Sequence, residues 1–102
     1  MNTHQLTSDI KLRFDHLNTK AQLKEKYQAK LLVAYQGGLW KATPGLIALL
    51  NSVDSDRLII LDSYDNPVAI MNRAEMFSKI RDTYTDVMEQ WLIELNELEK
   101  NR

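Results

Sequence analysis

The stretch LLVAYQGGLWKATP, residues 31–44, places a strand pattern, a tight turn and a helix start in direct succession. Two runs of alternating residues, LLVAYQ and LWKA, flank Gly37 and Gly38, and glycine tolerates the positive φ angles of a two-residue hairpin turn. With the turn at these glycines, Tyr35 opposes Trp40 across the strands. We therefore expect a β-hairpin with one core face, made of Val33, Tyr35, Trp40 and Ala42.

A helix start follows this hairpin at once. Thr43 is a favourable N-cap, and Pro44 is favoured at the first helical position. Leu46, Ile47 and Leu50 then lie on one helical stripe, which predicts a short helix over residues 44–52. A bent strand through GLIALL stays open as an alternative, because periodicity does not separate a short apolar helix from a buried strand.

Residues 57–71 predict a second hairpin. The segment RLIILD, residues 57–62, is apolar on both faces, which is typical of a central strand covered on both sides. Residues 63–67, SYDNP, have the composition of a turn, and Pro67 disfavours the α conformation at Asn66. We expect the partner strand over residues 68–71.

The longest predicted element begins after this hairpin. Asn72 followed by Glu75 is a capping-box pattern, and an amphipathic helix then continues to Leu98. At about 1.5 Å per residue the helix is roughly 40 Å long, which exceeds the width of a domain of this size. Its far end needs cover from the N-terminal helix or from another copy of the chain, and we favour another copy. The residues expected to mediate this self-association are Met88, Trp91, Leu92, Leu95 and Leu98.

The N-terminal segment also has helical periodicity. Its apolar residues recur at steps of four, three and four, the spacing of one helical face: Ile10, Phe14, Leu17 and Ala21. Thr19 with Gln22 resembles a second capping box, and the apolar stripe restarts out of phase at Leu23 and Tyr27, so residues 8–29 form either two helices or one kinked helix. We expect residues 1–18 to be an N-terminal helical extension and residues 19–102 to be a single α+β domain that ends in a long amphipathic helix.

Composition bounds the class of protein. The chain has 102 residues, 44% of them apolar, which suits one compact core. Thirteen basic against fourteen acidic residues leave a net charge of −1, so no global field favours nucleic acid or an anionic membrane. Cysteine is absent, which excludes disulfides and thiolate chemistry. No apolar run has the length of a signal peptide or a membrane span, and we expect a soluble, cytoplasmic protein.

No set of residues predicts catalysis, a cofactor or a metal. His4 and His16 lack a second metal ligand at helical spacing. Four carboxylates lie in two turns, where aspartate is an ordinary turn residue and the EF-hand spacing is absent: Asp54, Asp56, Asp62 and Asp65. Four lysines surround Tyr27 and are interpreted as a solvated helix face: Lys20, Lys24, Lys26 and Lys30. We expect no enzymatic activity, and a hydrolase or metal enzyme ranks last.

Two resemblances follow from these motifs. Residues 35–44, followed by a hairpin with Asp62 and Asn66-Pro67 and a long helix with Trp91, resemble a group of small uncharacterised proteins of T4-like marine cyanophages, over residues 23–98. That resemblance implies a phage-encoded protein of the host cytoplasm and carries no activity or catalytic residue. The order of strands and turns is also similar to that of Sm-like proteins, whose bent sheets form RNA-binding rings, although the Sm pattern of glycine and aspartate is missing.

The expected fold is α+β, with two antiparallel hairpins in a small sheet covered by an N-terminal helix and a long C-terminal helix. The alternative is an Sm-like bent antiparallel barrel with extra helices. The expected function is a non-enzymatic binding or assembly module that self-associates, with a phage or host protein as a further candidate partner. The alternative is an Sm-like oligomer that binds RNA or DNA through exposed turn residues, namely Tyr64, Asn66 and Arg73. Nucleic acid is not favoured, and we expect no membrane interaction.

Overall fold

A computed structural model describes the backbone of residues 3–100 and the side chains of residues 7–100. The elements in this part of the chain are α1 (Thr3–Lys30), β1 (Leu32–Tyr35), β2 (Gly38–Lys41), α2 (Pro44–Ser52), β3 (Leu58–Leu61), β4 (Pro67–Ile70) and α3 (Arg73–Lys100). The predicted α+β class, with two antiparallel hairpins, an N-terminal helix and a long C-terminal helix, is confirmed. The hairpins form two separate two-stranded antiparallel sheets rather than the one small sheet that the sequence predicts. Because the described strands do not close into a barrel, the Sm-like barrel alternative is wrong.

The first hairpin has the predicted core face but a different turn. Val33 lies opposite Trp40, and Tyr35 lies opposite Gly38. The turn residues are Gln36 and Gly37, with φ angles of 47° and 80°, as a type I′ turn requires. The predicted pairing of Tyr35 with Trp40 is therefore wrong. The shift keeps every side chain on its predicted face, because strand side chains alternate with a period of two. All four predicted core residues are buried: Val33, Tyr35, Trp40 and Ala42.

Gly38 is required for packing rather than for the turn. A Cβ atom added to Gly38 would lie only 2.8 Å from Cζ2 of Trp40. The same indole donates its Nε1–H to the carbonyl oxygen of Tyr35 at 2.9 Å. The Trp40 ring therefore packs directly on the backbone of the hairpin and fixes its core face.

Residues 44–52 form a helix, so the strand alternative for this segment is wrong. The Thr43 hydroxyl accepts a hydrogen bond from the Leu46 amide at 3.2 Å, as an N-cap does. Leu50 is completely buried where α2 packs against α3. At the other end of α2, Arg73 donates from Nη1 to the Leu50 carbonyl at 2.8 Å. This short helix is therefore held at both ends.

The second hairpin is covered on one face only. In the β3–β4 register, Ile59 lies opposite Ala69 and Leu61 lies opposite Pro67. Ile59 and Leu61 are 59% and 61% exposed. The expectation of a strand covered on both faces is therefore wrong. The inward face carries Leu58, Ile60, Val68 and Ile70, which pack against the core.

Helix α1 differs from the prediction at Thr19, whereas α3 begins as predicted. Helix α1 is uninterrupted, and the Thr19 hydroxyl donates to the Asp15 carbonyl at 2.9 Å instead of capping a new helix. Helix α3 begins with the predicted cap, since the Asn72 side chain accepts from the Glu75 amide at 3.1 Å. The division of the chain at residue 18 stays a prediction.

The molecule is elongated. Its radius of gyration is 19.5 Å and its extents are 67 × 24 × 18 Å, whereas a compact chain of this length has a radius of gyration of about 13 Å. We call residues 27–87 the body, because the buried core lies there. We call residues 7–26 of α1 with residues 88–100 of α3 the arm. The arm is a two-helix layer that projects from the body.

Candidate assembly surface

The arm is attached to the body by a cluster around Tyr27. The Tyr27 ring is buried and stacks on Trp91, with ring centroids 6.0 Å apart and planes 7° apart. Its hydroxyl donates to Glu94, which also pairs with Lys26 at 2.7 Å. The hydrogen bonds from Lys26 and Tyr27 hold the pKa of Glu94 below its usual value. The bond to Glu94 raises the pKa of Tyr27, so this cluster keeps a protonated phenol beside a carboxylate.

Three of the four lysines near Tyr27 have partners. Besides Lys26, the ammonium of Lys30 lies 4.9 Å from the centre of the Tyr27 ring, a cation–π contact. Lys20 lies 3.6 Å from Glu99, and His16 contacts the same carboxylate at 3.6 Å. These pairs align α1 antiparallel to α3, with Tyr27 near Trp91 and His16 near Glu99.

The predicted self-association residues of α3 fall into two groups. Leu92 is 57% exposed. The others are half-buried, because α1 or the body covers part of each side chain: Met88, Trp91, Leu95 and Leu98. The neighbouring Ile93 is also exposed. Of the two partners that the sequence allowed for the far end of α3, the N-terminal helix provides part of the cover.

The apolar stripe that the sequence predicts on one face of α1 is exposed. Ile10, Phe14 and Leu17 are 57%, 68% and 64% exposed. The docking contacts come instead from Leu23 and Tyr27, which pack against the core. The signal was present in the sequence, because Leu23 and Tyr27 are out of phase with the first stripe. Two stripes on one helix indicate two partners, and α3 covers only one of them.

A groove between the two helices joins these apolar residues. Leu17, Lys20, Ala21 and Lys24 line it from α1, and Trp91 and Leu95 line it from α3. Leu92 lies on the same side of α3, three residues before Leu95. We define the assembly surface as the groove-side apolar residues of the arm: Ile10, Phe14, Leu17 and Ala21 of α1 with Trp91, Leu92 and Leu95 of α3.

The structure separates the residues predicted to bind nucleic acid. Tyr64 is 71% exposed at the tip of the second hairpin. Asn66 is exposed in the same turn, where its amide donates to Asp62 at 3.1 Å. Arg73 uses its guanidinium within the body, on the carbonyl oxygens of Leu50 and Ser55. Arg73 therefore holds loop and helix ends together, and its side chain is already occupied.

Among the turn carboxylates, Asp62 alone is buried. Its side chain accepts from the amides of Tyr64 at 2.9 Å, Asn66 at 3.1 Å and Leu39 at 3.2 Å. The bond from Asn66 is the main cause that holds the pKa of Asp62 below its usual value, with Leu39 and Tyr64 adding to it. Because Leu39 belongs to β2, Asp62 links the two hairpins. Among the side chains of residues 7–100, no three metal-ligating groups come together.

Comparison with protein-family models, with curated proteins and with solved structures gives no match. Along the described helices, no segment is both long enough and apolar enough to cross a membrane. The assembly surface is thus the feature of the described chain on which a functional proposal rests.

Proposed function

We propose that this chain is a non-enzymatic assembly module that self-associates through the assembly surface. The observation that carries the proposal is the exposure of aligned apolar side chains along the arm, where Phe14, Leu17 and Leu92 are all more than half exposed. Single exposed apolar residues are common, but a contiguous apolar face along two helices is typical of an interaction site. The resemblance to T4-like marine cyanophage proteins supports a phage setting for this module.

The exposed area supports the same proposal. A compact monomer of 11.9 kDa has an accessible surface of about 5,900 Å², whereas this chain exposes 7263 Å². The excess of roughly 1,300 Å² is larger than the ~800 Å² that each partner buries in an interface of standard size. The elongated chain therefore leaves uncovered more area than one partner buries in a standard interface, and the arm is the part that projects from the body.

The test is the molecular mass of the wild type and of the Leu17→Glu/Leu92→Glu double variant, measured by light scattering. Both side chains point to solvent in the single chain, so glutamate costs little there, whereas burial of the two carboxylates in an interface is strongly unfavourable. We expect the wild type to have an integral multiple of 11.9 kDa and the variant to have the mass of one chain. Trp91 is not a suitable target, because it also stacks on the buried Tyr27.

The matched control is the Ile59→Glu/Leu61→Glu double variant. These residues are as exposed as Leu17 and Leu92 but lie on the second hairpin, at the other end of α3. We expect the control to keep the wild-type mass. If the control dissociates while the arm variant does not, the interface lies on the hairpin and the proposed surface is wrong.

A further inference from the structure

We infer that the assembly surface binds the same surface of a second copy, turned about a two-fold axis parallel to the helices, so that each α1 packs on α3 of the other copy. This inference rests on the proposed function and adds the number of copies and their relative orientation. The product is a dimer in which the two arms form a four-helix bundle and the two bodies lie at the same end.

The charges of the two helices are complementary. Helix α1 has six basic and three acidic residues, and α3 has four basic and seven acidic residues. The contacts within one chain already use this difference, since Lys26 pairs with Glu94 and Lys20 with Glu99. An α1 helix from a second copy would meet the same acidic helix. Two α1 helices in contact would instead place like charges together, which is unfavourable.

The charges around the groove show the same difference between a basic α1 and an acidic α3. On α1, Arg13 and Lys20 lie four and three residues from Leu17, and Lys24 lies one further turn along, at the spacing of one helical face. On α3, Glu89 and Glu99 lie on either side of Leu92 and Leu95 along the helix. Lys20 and Lys24 line the groove on α1, and Glu99 of α3 contacts Lys20 there, so the charges at this rim are basic on α1 and acidic on α3. A second copy complements these charges when its α3 lies on α1 of the first copy and its α1 lies on α3 of the first copy.

Symmetry then selects the axis. Helices α1 and α3 of one chain are antiparallel, and two such layers can stack face to face about a two-fold axis that lies between them. An axis perpendicular to the helices places α1 on α1 and α3 on α3. An axis parallel to the helices places α1 on α3 of the partner, keeps neighbouring helices antiparallel and gives up-down bundle packing. Only the second arrangement places the mainly basic α1 on the mainly acidic α3 at both helix contacts across the interface.

Cross-linking between single-cysteine chains tests this arrangement, because the natural chain has no cysteine. Ala21→Cys chains are mixed with Leu95→Cys chains, allowed to exchange subunits and treated with a short bismaleimide. Both positions line the groove, and any Ala21–Leu95 product must join two copies. We expect this mixed product to exceed each homotypic product several-fold. A Ser63→Cys chain, changed at the exposed tip of the second hairpin, is the control for random collision and should give background only.

The outcomes separate the two proposals. A wild type that has the mass of one chain contradicts the proposed function. An oligomer in which Ala21–Ala21 or Leu95–Leu95 products predominate leaves the proposed function intact and overturns the parallel axis. An oligomer with background cross-linking from all arm positions overturns the inference and places the interface elsewhere.

Discussion

The two halves of α3 have the same amphipathic pattern but different surroundings. In the body, Met76, Ile80 and Val87 are 0%, 0% and 6% exposed. In the arm, Leu92 and Ile93 are 57% and 58% exposed. The body surrounds α3 with two hairpins and α2, whereas the arm covers α3 with α1 alone. One helix thus serves as a core element over its first half and as a surface over its second half.

This comparison shows what an amphipathic stripe specifies. The stripe determines which face of a helix needs cover, but the number of neighbouring elements decides whether one chain can supply it. In the arm, two helices make one layer, and a single layer cannot bury both of its faces. We therefore expect substitutions in the body to change stability and substitutions in the arm to change assembly.

The largest expected effect is that of Trp40→Ala in the body. Trp40 is 2% exposed and packs on Gly38, so its removal should cost about 3–5 kcal/mol of unfolding free energy. Ile93→Ala in the arm should cost less than about 0.5 kcal/mol. Urea denaturation at low protein concentration measures both. Equal losses at the two positions would mean that the arm is core and that the division is wrong.

The next effect concerns the first turn. Gly37 has a φ angle of 80°, where a β-branched side chain is strained, so Gly37→Val should lower the unfolding free energy by about 1–2 kcal/mol. Gly45→Ala is the matched control, because its Cβ would make only an ordinary contact, 3.9 Å from the Thr43 hydroxyl. The control should be neutral or slightly stabilising. A melting temperature of Gly37→Val equal to that of the wild type would contradict the turn assignment.

Sequence patterns predicted the core face of the first hairpin but not its turn. The sequence pattern does not distinguish Gly37 from Gly38 as turn residues, yet of these two glycines only Gly37 has a positive φ angle. The glycine at 38 is explained by the Trp40 ring above it, a tertiary contact that local pattern cannot show. The core face was nevertheless predicted correctly, because the observed pairing differs from the predicted one by two residues, and side chains two residues apart in a strand point to the same face.

The candidate site was predicted in part. Periodicity identified the stripes on α1 and α3 and separated Leu23 and Tyr27 from the stripe that contains Phe14, but it could not tell which of the two α1 stripes α3 covers. The alternative function uses Arg73 for a phosphate contact, because the sequence places it among exposed turn residues. Its role on the Leu50 carbonyl depends on α2 ending beside it, which no spacing in the sequence reveals.

A smaller effect is expected at the link between the hairpins. Because backbone amides hold the pKa of Asp62 below its usual value, its contribution to stability is present above that usual value and is lost as the pH falls through the lowered pKa. In Asp62→Asn, the new NH₂ group would face a backbone N–H such as that of Leu39. Two donors cannot form a hydrogen bond with each other, so at least one of these bonds would be lost. Thermal melts should show a lower melting temperature at neutral pH and a weaker decline below about pH 4. A variant with the wild-type pH profile would show that Asp62 does not link the hairpins.

The most direct test of self-association is sedimentation equilibrium of the wild-type chain at micromolar concentration. The proposed two-fold bundle predicts a mass twice the 11.9 kDa of one chain, with dissociation on dilution and in the Leu17→Glu/Leu92→Glu variant. A mass of 11.9 kDa that does not change with concentration would contradict the account, because the apolar surface of the arm would then remain uncovered.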